Sequence, residues 1–228
     1  HSLVRSFYTA AAEETNEDIL NPVTYGEDSI AHIPSHRRMR SYGCGSPVLD
    51  CDIQAGDTLA DLGSGTGIEC FIASKMVGPQ GAVYGIDMSP SMLQRAEEGR
   101  AEVAAALGFD NIALRKGYLE DLPLDSDALD FVISNCVINL TADKRGALEE
   151  IYRVLKPGGT VCISDIVTDS EVPIALQYDG KLRGECLGGA MLQRELFAVL
   201  GDTGFDSAYL VRRYLYRRVQ DHPFYAIT

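Results

Sequence analysis

The feature that most constrains the fold is a regular alternation of apolar strands and helices that begins at Asp57. Short apolar runs such as DTLADLG and GAVYGID are separated by longer helical stretches such as TGIECFIASKMV and SPSMLQRAEEGRAEVAAALGF. Near-continuously apolar strands joined by helices are typical of a parallel sheet that is covered on both faces. The sequence therefore predicts an α/β fold with a doubly wound, Rossmann-like sheet.

The alternation of strands and helices continues to about residue 167, and an insert, a helix and two closing strands follow. Strands are predicted for NIALRKG, ALDFVISN and TVCISDIV, and a helix for TADKRGALEEIYRVLKPGG that ends at Lys-Pro-Gly-Gly. A loop-rich insert near 168–190 and a helix over 191–203 follow. SAYLVRRYLYRR and FYAIT then predict closing strands at an antiparallel edge of the mostly parallel sheet. We expect one domain over 56–228, preceded by a segment over 1–55 that comprises a helix over about 3–20 and a lid.

Charge and apolar patterning exclude several classes of partner. The formal net charge of −13 argues against nucleic acid and anionic membranes as partners, because phosphate contacts need patches of Lys and Arg. No apolar run reaches membrane-spanning length. Four of the six cysteines lie beside or within predicted core elements, which favours free thiols and a cytoplasmic protein. The sequence leaves the oligomeric state open.

A glycine-rich loop, DLGSGTG, occupies the first strand-to-helix junction at residues 61–67. Loops of this kind let the backbone approach a nucleotide cofactor closely, and they serve dinucleotides and S-adenosylmethionine alike. The dinucleotide fingerprint G-x-G-x-x-G requires a small residue at position 68. That position is Ile68, so NAD is the weaker interpretation.

Acidic residues around the loop favour S-adenosylmethionine. Asp87 ends the second strand and is placed to accept hydrogen bonds from ribose hydroxyls, whereas Asp61 is placed to receive an ammonium group. The loop, Asp87 and RVLKPGG occur in the order expected of a methyltransferase. The candidate cofactor-binding residues of this region are Asp61, Gly63, Ser64, Gly65, Gly67, Asp87 and Met88.

Two further segments complete the candidate cofactor site. KGYLEDLPL follows the third strand, where Tyr118, Leu119 and Glu120 could line an adenine pocket; the alternative is an ordinary surface turn. Asn135 ends the fourth strand. Open α/β sheets bind ligands outside the carboxyl ends of their strands, where the strand order reverses.

Three cysteines lie in segments that this topology can bring to the same edge of the sheet. Cys136 follows the fourth strand, Cys186 lies in RGECLGG after the fifth, and Cys44 lies in YGCGSP within the lid. Three thiols beside a methyl donor suit a soft, thiophilic centre, although incidental burial of two or more of them is the alternative. The spacing is not that of a zinc site. Cys70 and Cys162 occupy apolar element interiors and are predicted to be structural, while Cys51 is ambiguous.

YGCGSP, DLGSGTG, SNCVINL, RVLKPGG and GECLGGA, in this order, resemble the arsenite S-adenosylmethionine methyltransferase family, over roughly residues 40–228. The resemblance implies a class I methyltransferase that transfers a methyl group from S-adenosylmethionine to thiol-bound trivalent arsenic, in arsenic detoxification. It further implies that Cys136 and Cys186 bind arsenic, with help from Cys44, near an insert at 168–190. A reducing thiol, glutathione or thioredoxin, would be a co-substrate.

One departure from the family affects the expected substrate. Members commonly carry a further cysteine or pair near the chain start, and residues 1–43 contain none. We therefore expect monomethylarsenite to suit this site better than inorganic arsenite. The alternative functions are methylation of a small organic acceptor and non-catalytic metalloid binding, which metalloid-dependent turnover would distinguish.

Overall fold

The computed structural model describes residues 24–38 and 43–228. Its centre is an eight-stranded sheet in the order β3-β2-β1-β4-β5-β8-β7, with a short β6 paired to β5. The first five strands are parallel, whereas β8 pairs antiparallel with both β5 and β7. The predicted α/β sheet with an antiparallel edge is therefore confirmed. The strands are β1 (Thr58–Leu62), β2 (Ala82–Asp87), β3 (Ile112–Lys116), β4 (Leu129–Asn135), β5 (Leu155–Thr168), β6 (Met191–Leu192), β7 (Arg213–Val219) and β8 (His222–Ile227).

Helices cover the sheet and connect its strands. The long α4 begins with the Ser89 hydroxyl accepting a hydrogen bond from Met92 N–H and ends at Gly108, which has a left-handed backbone. None of the described helices is both long and apolar enough to cross a bilayer. The helices are α1 (Glu27–Ile30), α2 (Pro47–Asp50), α3 (Ile68–Val77), α4 (Pro90–Leu107), α5 (Lys144–Val154), α6 (Ile174–Gln177), α7 (Gly180–Gly184) and α8 (Gln193–Thr203), with 3₁₀ turns at Ser35–Arg37 and Ile138–Leu140.

Three elements differ in detail from their predicted form. The helix predicted to end at Lys-Pro-Gly-Gly stops at Val154, because Leu155 is already extended and pairs with Leu129 of β4. The insert predicted as loop-rich near 168–190 contains two short helices, α6 and α7, among its loops. The last helix begins two residues late, because Met191 and Leu192 pair with β5.

The lid segment packs on one face of the sheet. Ile33 and Val48 are fully buried in an apolar cluster that also contains Phe71 and Ile72 of α3. The predicted helix over 3–20 lies outside the described residues. Gly43, Cys44 and Gly45 lie against Asn135 at the carboxyl end of β4.

Candidate active site

The three predicted arsenic-binding cysteines come together in one buried cluster. The Cys136 thiol lies 2.7 Å from Cys44 Sγ, longer than the ~2.05 Å of a disulfide. The Cys186 thiol donates a hydrogen bond to the carbonyl oxygen of Cys136, at 2.8 Å. All three side chains are buried and all three are free thiols. Residues that are 50 and 92 positions apart in sequence thus meet at the end of β4.

Two of these cysteines have a backbone conformation that is uncommon for residues with a side chain. Cys136 has φ 56° and Cys186 has φ 64°, both in the left-handed region. Cys136 turns there directly after β4, and its N–H donates to the Ser164 carbonyl of β5 at 2.7 Å. The left-handed turns direct both thiols into the cluster instead of continuing the preceding strand or helix.

Asn135 clamps the Cys44 loop to the sheet. Its Oδ1 accepts a hydrogen bond from Cys44 N–H at 3.0 Å, and its Nδ2 donates to the Gly45 carbonyl at 2.8 Å. A Cβ at Gly43 would collide with the Asn135 amide, and one at Gly45 would collide with the Ser164 side chain. The glycines that flank Cys44 are therefore required for this close approach. The predicted role of Asn135 in cofactor binding stays a prediction, since its amide here positions Cys44.

The local environment keeps the three thiols protonated. Burial is the main cause of the raised pKa of Cys44 and Cys136, whereas for Cys186 it is first the hydrogen bond with Cys136 and then burial. The Tyr214 hydroxyl donates to the Cys44 carbonyl at 2.6 Å, and burial raises the pKa of Tyr214 to about 12. The cluster is thus a set of neutral thiols that become thiolates only when an electrophilic centre replaces their protons.

The predicted glycine loop lies at the carboxyl end of β1. Gly63, Gly65 and Gly67 all have positive φ, and a Cβ at Gly63 would collide with the Val137 side chain directly after Cys136. Asp87 ends β2, and its carboxylate accepts hydrogen bonds from Gly65 N–H at 2.9 Å and Ser89 N–H at 2.8 Å. The loop and the thiol cluster therefore belong to the same edge of the sheet.

Two buried carboxylates beside the loop lack a cationic partner in the part of the chain that the structure describes. Asp61 accepts a hydrogen bond from the Cys70 thiol at 3.4 Å, and burial raises its pKa to about 7. Glu69, in the first turn of α3, accepts one from Tyr25 at 2.9 Å, while its Oε2 has no partner among the described residues. Burial, then the charge of Asp61, raises the pKa of Glu69. Neither carboxylate forms an ion pair within the described ranges, so the pair is suited to a cationic ligand.

Sequence reasoning missed Glu69 and one further acid, Asp165. Asp165 lies in β5 and is buried, and burial raises its pKa to about 6. It lies beside Cys136 and Cys186, as described below. Both acids interrupt apolar stretches, in GIECFIAS and CISDIV, and a charge in such a stretch is the signal that could have identified them.

The remaining predicted residues lie around the same edge. Leu119 is buried, and Tyr118 is more than one-third exposed. Glu120 accepts a hydrogen bond from Ala142 N–H at 3.2 Å. Ser64 is buried, with its hydroxyl unpartnered among the described residues, and Met88 is half-buried between Asp87 and α4. Their roles in cofactor binding stay predictions.

The other three cysteines lie apart from the cluster. Cys162 is buried against the Cys51 side chain, and these two line a cavity of about 680 Å³ with Asp50 and the start of β5. None of the predicted site residues lines that cavity. Cys70 contacts Asp61, so its thiol borders the carboxylate pair. The structural role predicted for Cys70 and Cys162 is untested.

The sequence is similar to a known protein family and to individual proteins. Residues 53–204 match the family described as Methyltransferase domain. The chain is 36% identical to an arsenite methyltransferase of Halobacterium salinarum and 38% identical to one of Aquipseudomonas alcaligenes. These matches cover 86% and 92% of this chain, but the chain spans only 49% and 63% of the length of the two relatives.

A solved structure extends the comparison to the fold. The crystal structure of an arsenic(III) S-adenosylmethionine methyltransferase from Chlamydomonas reinhardtii superposes with a TM-score of 0.81 at 32% identity, covering 88% of this chain and 71% of that one. The chain belongs to the arsenite S-adenosylmethionine methyltransferase family, within the class I methyltransferases.

Proposed function

We propose that this protein methylates trivalent arsenic held by Cys136 and Cys186, with S-adenosylmethionine as the methyl donor. The observation that carries the proposal is the buried cluster of three free thiols at the same sheet edge as the glycine loop. The resemblance to arsenite methyltransferases supports the choice of metalloid.

The residues around the loop fit the cofactor. The carboxylates of Asp61 and Glu69 would receive the positively charged methionine end, because both are buried without a cation among the described residues. Asp87 would bind the ribose hydroxyls, and Tyr118 and Leu119 would border the adenine. Bound S-adenosylmethionine supplies an electrophilic methyl carbon on a sulfonium centre.

The chain's task is to hold the nucleophile in place. Each thiol that binds arsenic replaces a hydroxide or a small thiolate, which leaves with the thiol proton, so the exchange requires no net proton transfer to the protein. The lone pair of trivalent arsenic would attack the methyl carbon as the carbon–sulfur bond breaks, so S-adenosylhomocysteine would leave and arsenic would become formally pentavalent. This step needs no general base. Fixed positioning of this kind contributes ~7–11 kcal/mol in favourable intramolecular cases.

The number of thiols predicts the preferred substrate. Monomethylarsenite has two exchangeable positions, which Cys136 and Cys186 fill, whereas inorganic arsenite has three and also needs Cys44. A reducing thiol, glutathione or thioredoxin, would then return the product to the trivalent state. A cytoplasmic location forms part of the proposal, because a reducing compartment preserves free thiols.

The test is a time course with arsenite and monomethylarsenite as separate substrates, at a fixed concentration of small thiol. Cys136→Ser and Cys186→Ser should abolish methylation of both, whereas Cys44→Ser should spare monomethylarsenite and impair arsenite. Cys162→Ala, outside the cluster, is the control. Full activity of Cys136→Ser would refute the metalloid site, and metalloid-independent turnover would favour an organic acceptor.

A further inference from the structure

A carboxylate that arsenic chemistry does not require lies beside the two proposed arsenic-binding thiols. Ligand atoms of Cys136, Cys186 and Asp165 all lie within 4.8 Å of one another, and all three residues are buried. In the proposed site, trivalent arsenic has sulfur and carbon as its bonded atoms and needs no carboxylate. Thiolate sulfur and carboxylate oxygen are both ligands that Zn²⁺ accepts, and its heavier congener Cd²⁺ shares the preference for thiolates. We propose that Cys136, Cys186 and Asp165 bind a thiophilic divalent cation of this class.

Asp165 is held in place for such a role. Its Oδ1 accepts hydrogen bonds from Asn139 Nδ2 and from Ile166 N–H, both at 2.8 Å. Among the described residues, its Oδ2 accepts only a longer bond from Asn139 N–H at 3.2 Å, so this oxygen retains lone-pair capacity. Hydrogen bonds from neighbouring groups orient metal-binding carboxylates in the same way. Asn139 in turn donates to the Ile166 carbonyl at 2.6 Å, which fixes the amide.

The charges around the site suit a divalent cation. Binding releases two thiol protons to solvent, so a cation of charge +2 with two thiolates and one carboxylate leaves a net charge of −1. Lys144 is close enough to act electrostatically on both Asp165 and Cys186. Its ammonium group would offset the remaining charge, and a bound cation would compensate for the burial of the two thiolates.

Only a small rearrangement is needed to reach coordination distances. Metal–sulfur and metal–oxygen bonds of about 2.3 and 2.1 Å place tetrahedral ligands roughly 3.6–3.8 Å apart. The ligand atoms here lie within 4.8 Å of one another, so they must move closer by about 1 Å. Cys186 would release its hydrogen bond to the Cys136 carbonyl to allow this movement. Cys44 Sγ, 2.7 Å from Cys136 Sγ, or a water would fill the fourth position.

The consequence for activity rests on the proposed function. A cation held by Cys136 and Cys186 occupies the thiols that arsenic needs, so Zn²⁺ or Cd²⁺ would inhibit methylation in competition with the metalloid. The discriminating residue is Asp165, which the cation uses and arsenic does not.

The test measures binding directly, without turnover. The reduced protein is titrated with Cd²⁺. Binding is monitored by the thiolate-to-cadmium charge-transfer absorption. We expect one equivalent to bind, at least ~10-fold weaker binding in Asp165→Asn, and loss of the site in Cys136→Ser/Cys186→Ser. Asp169→Asn, an exposed acid that pairs with Arg213, is the matched control. Phenylarsine oxide, which captures paired thiols, should still bind Asp165→Asn with one equivalent.

Three results would overturn the inference: no bound Cd²⁺, unchanged affinity in Asp165→Asn, or a site that survives the double cysteine variant. X-ray absorption at the cadmium edge of the unaltered protein provides an independent measurement that needs no substitution. A cadmium coordination shell of two sulfur atoms and at least one oxygen atom, or of three sulfur atoms and one oxygen atom, supports the site. A coordination shell that contains sulfur atoms alone refutes it. Cd²⁺ binding without phenylarsine oxide binding would contradict the proposed function and leave this inference standing.

Discussion

The Asn135 clamp makes a quantitative prediction about the mobility of the Cys44 loop. In Asn135→Ala, the N–H of Cys44 and the carbonyl of Gly45 both lose their hydrogen bonds to the side chain. A buried backbone group left without a partner costs about 1–3 kcal/mol, and the loop can recover that energy by opening to water. The bond from Tyr214 to the Cys44 carbonyl remains and favours the lower part of this range. We expect local opening to become easier by about 1–2 kcal/mol, counting the Cys44 N–H alone.

This change should be visible in the reactivity of one thiol. An easier opening of about 1–2 kcal/mol corresponds to a roughly 5- to 30-fold faster alkylation of Cys44, when opening and closing are fast relative to the chemistry. Mass spectrometry of the protein after timed exposure to iodoacetamide measures each cysteine separately. Cys70, buried within α3, is the internal reference.

A neighbouring substitution provides the control. Ser134→Ala removes a buried hydroxyl that has no hydrogen-bond partner among the described residues, so it should leave the rate for Cys44 unchanged. Equal acceleration in both variants would show that any change at the end of β4 loosens the loop. An unchanged rate in Asn135→Ala would refute the clamp.

Three further predictions concern the surrounding residues. Because burial raises the pKa of Asp61 from 3.8 to about 7, the folded protein binds more protons than the unfolded chain between these values, and its stability falls as the pH rises through that window. In Asp61→Asn, the stability measured by thermal unfolding should depend less on pH in this window, and cofactor binding should be weaker. An unaltered pH dependence of stability would contradict the assignment. Asp87→Ala should weaken S-adenosylmethionine binding by roughly 10- to 100-fold in calorimetry, relative to Asp125→Ala, as expected for a hydrogen-bonded charge. Cys70→Ala and Cys162→Ala should bind phenylarsine oxide with unchanged stoichiometry but unfold at a lower temperature, and loss of an equivalent in either would mean that the arsenic ligands are misassigned.

The sequence predicted the elements whose apolar patterns are unambiguous. The strands that end at Leu62, Asp87 and Asn135 follow from short apolar runs bounded by polar or glycine residues. The convergence of Cys136 and Cys186 followed from the rule that ligands bind at the carboxyl ends of strands. Local pattern and topology were sufficient for these features.

Features that depend on side-chain contacts between distant segments could not be predicted. The role of Asn135 as a clamp depends on Gly43 and Gly45, about 90 residues earlier. Likewise, Lys-Pro-Gly-Gly predicts the end of a helix, but the register shift in which Leu129 pairs with Leu155 and Phe131 with Thr160 is set by pairing with β4. Such outcomes depend on tertiary contacts that override local preference.

At Cys136 and Cys186, the left-handed backbone favours glycine for stability, whereas the proposed chemistry requires cysteine. The two requirements therefore select for different residues during evolution. Glycine adopts positive φ without steric cost, whereas other residues incur about 1 kcal/mol or more at such positions. Drift towards glycine at either position would therefore relieve backbone strain while deleting a metalloid ligand. A lineage released from exposure to arsenic would have no reason to retain these thiols, and its homologues should lose them before they lose the sheet.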